Sequence, residues 1–307
     1  MRPFFCFSLP HTFQRHLYPH SMQATWPAHL QLTYRRDSCD GITRTVAHDR
    51  HSGPLRVLQA LYPEGPQVCH HVLVHPPGGI VGGDTLTVEV QAGPGSRALI
   101  TTPGATRFYR SNGPWAEQTT SLTLAENARL EWLPLETLAY DQCLARNSLT
   151  MQLAPGAVLL GWDLLALGLP AAAKPFAHGQ FINRLQWPGV WLEHGHLDAL
   201  DTQLLHSPLG LAGRTCIGTL WLACGTGLGR QPLELLLDSA REVIGQAGAE
   251  KWPDVVAGVT ALEPRLLVLR LLAQHTESAF ALLRAVRARW RPLALGLPAH
   301  EPRIWRQ

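Results

Sequence analysis

Charge is scarce in this 307-residue chain: Asp, Glu, Lys and Arg make up 16% of it, and the net charge is +3. Only Lys174 and Lys251 among the 26 basic residues are lysines. The arginines are scattered except toward the C-terminus, whereas a nucleic-acid surface needs a concentrated basic stripe, so no nucleic-acid partner is expected. The six cysteines (Cys6, Cys39, Cys69, Cys143, Cys216, Cys224) contain no Cys-x-x-Cys pair. That removes the usual zinc-ribbon and dithiol signatures and points to reduced thiols in a cytoplasmic protein. Long apolar runs are missing too. The first one, cut by Pro10, is about five residues long, too short for a secretory signal. The run from Ala157 to Ala173 carries Asp163 and Pro170 and falls short of the roughly 20 residues a membrane-spanning helix needs. Neither export nor a membrane is expected.

Catalytic signatures are equally thin. No Gly-x-Ser-x-Gly elbow supports a serine hydrolase. The glycine-rich segment 75–84 lacks the Lys and Ser/Thr of a phosphate loop, and Asp84 would repel phosphate there. The GTGLGR run at 225–230 does not match the dinucleotide spacing either.

What is present is an apolar fraction of 46%, enough for a sizeable core. Residues 1–21 are rich in His, Pro and Phe without a period and precede Met22, so they read as a disordered extension or a mis-assigned start. From residue 22 to about 228, short alternating runs punctuated by Gly and Pro predict a β body. Three runs, from Leu86, Leu122 and Leu149, each read strand, polar turn, strand. Their recurrence near every 30 residues predicts stacked, helically wound β layers, a solenoid-like body. Residues 229–307 form the helical C-terminal part of the same domain. Its two amphipathic helices are predicted over 232–247, with Pro232 in the first turn, and over 276–290, with Thr276 as N-cap.

The most distinctive segment is His75-Pro76-Pro77-Gly78-Gly79-Ile80-Val81-Gly82-Gly83-Asp84. Prolines followed by paired glycines predict a loop with positive backbone φ that passes close to a neighbour. Cys69-His70-His71 with His75, and Glu193-His194-x-His196, collect donors suited to nickel or zinc. Neither closes a site alone, and turn or surface histidines are the plainer reading. Asp84, Glu136, Asp141, Asp163 and Glu193 lie in or beside apolar, strand-like segments. A buried acid is costly unless bonded, paired or facing water. They either satisfy turns and pair with arginines such as Arg107 and Arg110, or line a hydrophilic passage for a divalent cation.

HPPGGIVGGDTL, TTPGATRFYRS (101–111), LEWLPLETLAYD (130–141), GWDLLALGLPA (161–171) and the C-terminal RPLALGLPAHEPRIW resemble, in order, the motifs of the urease accessory protein UreD (UreH) family. Glu136-Thr137-Leu138 departs from the more usual Glu-Asn-Ile. The resemblance implies a protein without enzymatic activity that binds UreF directly, reaches the GTPase UreG through UreF, and engages apo-urease. It also implies no stably bound cofactor, with nickel in transit past Asp84, Asp163 and Glu193. The C-terminal helices and the terminal Arg303-Ile304-Trp305 segment are the expected partner contacts. A metal-dependent hydrolase and a generic β-solenoid interaction module are the competing readings.

Overall fold

The structure, a computed structural model, describes residues 25–39, 41–247 and 251–306. The extension expected over 1–21 lies outside the described residues.

Two strands, β1 (Pro27–Cys39) and β2 (Ile42–Ser52), pair antiparallel, and the short β3 (Arg56–Val57) joins β4 (Cys69–Val74). Three similar coils follow. The first holds β5 (Thr85–Ala92), β6 (Arg97–Thr101) and β7 (Thr106–Phe108). The second holds β8 (Ala116–Leu124), β9 (Arg129–Leu133) and β10 (Thr137–Ala139), and the third β11 (Cys143–Leu153) and β12 (Val158–Leu167). The first strands of successive coils pair in parallel, as do the second strands and the short third ones. Each recurrent unit is thus one turn of a wound β body: its two strands enter different sheets and pair with the next coil, not with each other.

The polar turns between those strands stack. Gly95, Asn127 and Gly156 occupy equivalent positions at φ +64°, +58° and +71°, conformations that Gly and Asn adopt at least cost. Backbone bonds from Gly95 N to Glu126 O (2.9 Å) and from Asn127 N to Pro155 O (3.3 Å) tie each turn to the next.

The chain then adds β13 (Gly179–Trp187) and β14 (Trp191–Asp198), the five-residue helix α1 (Thr202–His206), β15 (Cys216–Cys224), α2 (Arg230–Ala247), β16 (Val256–Glu263), β17 (Leu266–Ala273) and α3 (Thr276–Trp290). Seven strands form one sheet in the order β14-β13-β11-β8-β5-β1-β2. The other sheet runs β16-β17-β15-β12-β9-β6-β4-β3. One core fills the space between the sheets; a second lies between the outer face of the latter sheet and helices α2 and α3.

The body is mainly β, as expected, and both predicted helices are present. The part expected to be helical, 229–307, is interrupted by the β16–β17 hairpin. Strand β17 is buried on both faces, with Leu266 and Val268 in the inner core and Leu267, Leu269 and Leu271 in the outer one. Such a continuous apolar run carries no alternation to announce a strand. Thr276 is not the N-cap of α3 but its first residue; His275 holds the cap position without a side-chain bond. Asp254 does the capping from another segment, accepting from Gln274 N (3.1 Å), His275 N (3.2 Å) and Ser278 Oγ (2.7 Å).

Candidate functional site

The HPPGG loop is a partial coil laid on β7, with Ile80 N donating to Arg107 O (2.7 Å) and Tyr109 N to Ile80 O (2.9 Å). Its paired glycines divide the work. Gly78 and Gly83 adopt φ +80° and +95°, whereas Gly79 and Gly82 lie flat on the next coil, where a Cβ would come within 2.1 Å of the Tyr109 ring and the Ser111 hydroxyl respectively. Asp84 closes the loop by accepting from Val81 N (3.0 Å) and Trp26 N (3.4 Å). Beside the loop a cavity of about 290 Å³ is lined by His75, Arg107, Trp132 and, deeper, Gln118. Burial pushes the His75 imidazole pKa down, partly opposed by the charge of Asp84.

Gln118 begins a polar layer inside the sandwich. It is in register with Asn147, and Asn147 with Asn183, across β8, β11 and β13. Facing them on the other sheet is a second row, Asp163, Thr219 and Arg270, across β12, β15 and β17. The rows meet between the sheets. Gln118 donates to Asn147 (3.3 Å); Asn147 donates to Asp163 Oδ1 (3.3 Å) and Asn183 to Asp163 Oδ2 (2.8 Å). At the far edge Glu193 of β14 accepts from Thr219 Oγ1 (3.2 Å) and from Arg270 Nε (3.1 Å) and Nη2 (2.6 Å). Polar side chains therefore run from the cavity to the far edge, where the Glu193–Arg270 pair sits. Burial pushes the Asp163 carboxyl up to about 6; the Asn183 bond opposes this and the charge of Glu193 adds to it. Asp163 nevertheless keeps some accessible surface, so space for a water-sized probe adjoins this residue.

The GWD motif sets this geometry. Gly161 leaves room for the Trp221 ring, which a Cβ would approach to 2.4 Å. Trp162 points outward, donating to Pro134 O (2.6 Å) and packing on Phe280 and Trp305, so Asp163 points inward.

Of the five acids singled out in the sequence, Asp163 and Glu193 come together. Asp84 lies on the cavity side, two residues before Leu86, which is the register partner of Gln118. Asp141 satisfies a turn, accepting from His178 N (2.8 Å) and Ala177 N (3.0 Å). Its pKa is lowered: desolvation, the largest single effect, is outweighed by the two amide bonds together with the Gln142 side chain and the charge of His178. Glu136 is half-buried beside β10, its carbonyl accepting from Thr106 N (2.9 Å). Arg107 bonds the Gly78 carbonyl (3.2 Å) instead of an acid. The histidine clusters are split by the strand: His71 meets Tyr34 Oη (2.7 Å) on one face, and His70 meets Glu64 (2.7 Å) on the other. Among the described residues no three His, Cys, Asp or Glu side chains converge on a metal-sized site. Trp305 is 8% exposed and donates to Thr101 Oγ1 (2.9 Å), so it packs the outer core; of the Arg303-Ile304-Trp305 segment only Arg303 is exposed.

Sequence reasoning missed Gln118, Asn147, Asn183, Thr219 and Arg270, each a polar side chain at an inward strand position. The signal was there in Asn147, set between the buried Ala145 and Leu149 of an alternating run.

It also missed a buried ionic cluster on the outer face. Glu131 of β9, 1% exposed, receives Arg287 Nε (2.8 Å) and Arg291 Nε (2.8 Å), and Arg291 also binds Glu64 (2.6 Å). Glu64 completes the cluster by bonding His70. Desolvation would raise the Glu64 pKa, but the His70 and Arg291 bonds lower it to about 2.

A family profile described as UreD urease accessory protein matches residues 27–306. The chain belongs to the UreD family. It is 57% identical over 282 residues to the urease accessory protein UreD of Leptothrix cholodnii, covering 92% of this chain and 99% of that protein. With UreD of Polaromonas sp. (strain JS666) it shares 53% identity over 282 residues, and with UreD of Polaromonas naphthalenivorans 53% over 281, at the same coverage of both chains. The UreD match thus takes in both sheets, the polar layer and the ionic cluster. Among the described residues no helix is long and apolar enough to cross a membrane.

Proposed function

We propose that this chain is a non-catalytic scaffold of cytoplasmic urease maturation that passes nickel through its interior. In this reading it binds UreF directly, reaches UreG through UreF, and presents apo-urease with nickel carried along the layer from the cavity under the HPPGG loop, past Asp163, to Glu193. The observation that carries it is the bonded series Gln118–Asn147–Asp163–Asn183 between the sheets. A β core has no packing reason to hold six inward polar groups in two in-register rows, and their desolvation is costly unless water or an ion shares the space. Amide and carboxylate oxygens are hard donors that bind a borderline cation weakly, and a conducting site must release what it binds. Nickel is cargo here, not a resident cofactor.

The test is urease activity in cells carrying the whole urease operon. Deletion of the gene is expected to abolish activity. Asp163→Ala, with assembly on UreF and apo-urease verified by co-purification, is expected to leave urease nickel-poor and at least tenfold less active. Full activity after deletion would sink the maturation role; nickel-replete urease from Asp163→Ala would sink the passage and leave the scaffold.

A further inference from the structure

A second polar site lies on the opposite face of the second sheet and shares no residue with the layer. Arg97 and Arg129 open β6 and β9 and are register partners, so their backbones are about 4.8 Å apart and their side chains leave the same face. Arg36, from β1, reaches the turn before Arg97: a Cβ on Gly95 would lie 3.2 Å from its Cδ and Nη1. The three line a recess of about 160 Å³ whose wall includes Thr43, Gln67 and Asn127. Among the described residues no carboxylate lines it. Arg129 Nη1 is shielded from solvent and has no hydrogen-bond partner. Burial, reinforced by the charge of Arg97, pushes the Arg129 pKa down. Like charges held side by side repel, and a buried N–H left unbonded is costly, so an anion held between these arginines would be favoured.

We propose that this recess binds a tetrahedral oxyanion of the phosphate class. Its size falls below the roughly 300–1,000 Å³ of small-molecule pockets, which excludes a nucleotide base and leaves room for an ion with a few waters. Guanidinium forks bond oxyanions in pairs, and the Thr43 hydroxyl and the Gln67 and Asn127 amides add donors around the same space. A carboxylate presents two oxygens on one side; phosphate, with about −1.5 to −2 charges near neutral pH, presents acceptors to all three arginines. Thr45 holds the frame, donating to Gln67 O (2.6 Å) and accepting from Arg97 N (3.1 Å).

The test is calorimetric titration of the full chain with inorganic phosphate in chloride buffer at constant ionic strength, with acetate titrated in parallel and thermal melts alongside. Saturable binding of one phosphate is expected, together with a melting temperature that rises with phosphate and not with acetate. Arg129→Gln is expected to weaken binding at least tenfold. Arg36→Gln, an exposed position whose change leaves packing intact, is expected to weaken it several-fold while the phosphate-free melt stays the same. Absence of saturable phosphate binding, equal binding by Arg36→Gln, or an acetate effect as large as that of phosphate would each overturn the proposal.

Discussion

Asp163 holds two opposed properties in one side chain. Its carboxyl, raised to about 6 from an ordinary value of 3.8, is disfavoured as an anion where it sits, yet the layer supplies two amide donors to that anion. Because the folded pKa lies above the unfolded one, the folded state binds more protons between pH about 4 and about 6, and this group lowers stability as pH rises through that window. At pH 7 the cost is on the order of 2 kcal/mol, less than the full shift implies because the carboxylate keeps accessible surface. Asp163→Asn is therefore expected to melt higher at pH 7 and to lose that part of the pH slope, while loading urease poorly; an unchanged melt at both pH 4 and pH 7 would remove the electrostatic account. The glycines of the loop make a purely steric prediction. In Gly79→Ala the new methyl meets the Tyr109 ring at 2.1 Å, and a loss of about 2–3 kcal/mol in urea unfolding is expected. Gly104→Ala, where a Cβ meets nothing within 4 Å, serves as the tolerant comparison.

At the scale of elements, the coils were legible because each strand–turn–strand unit repeats the same local demands: alternation, then a residue able to adopt positive φ. The polar layer was not. Gln118 and Asn147 are 29 residues apart and Asn147 and Asn183 36, and only the register between coils makes them neighbours. Strand β17 escaped notice because burial on both faces erases its period. Arg287 and Arg291, four apart on the buried side of α3 and its continuation, were readable as breaks in an apolar stripe, but their partners lie more than 150 residues earlier. That cluster predicts an asymmetry. Arg287→Ala leaves Glu131 buried with one cation fewer and is expected to cost about 3–5 kcal/mol. Replacing Glu64, Glu131, Arg287 and Arg291 together by Leu, Leu, Leu and Met, so that no acid of the cluster is left without its cation, is expected to cost far less in the same urea titration. The pH dependence follows from Glu64. Its folded pKa, about 2, lies below the usual 4.5, so its contribution is present above pH 4.5 and is lost as pH falls toward 2.

At the scale of the molecule, the C-terminus is a structural clasp. The segment after α3 sends Trp305 against Trp162 and Phe280, while Arg291 reaches back to Glu64 across 227 positions. A chain truncated after residue 286 keeps every strand but loses both arginines and Trp305. It is expected to be recovered in the insoluble fraction or to show no cooperative melt; a soluble, cooperatively melting truncation would mean that the β body stands alone.

The same clasp sets an order of events during synthesis. Glu64 and Glu131 leave the ribosome long before Arg287 and Arg291 exist, and at roughly 5–20 residues per second that interval is on the order of ten seconds or more. Throughout it Glu131 on β9 and Glu64 in the loop before β4 lack their cations on a face that cannot yet be dried, so the outer core can close only when translation is nearly finished. The last helix thereby sets the moment of closure: a chain released before it keeps a wet face on which Glu131 has no buried partner.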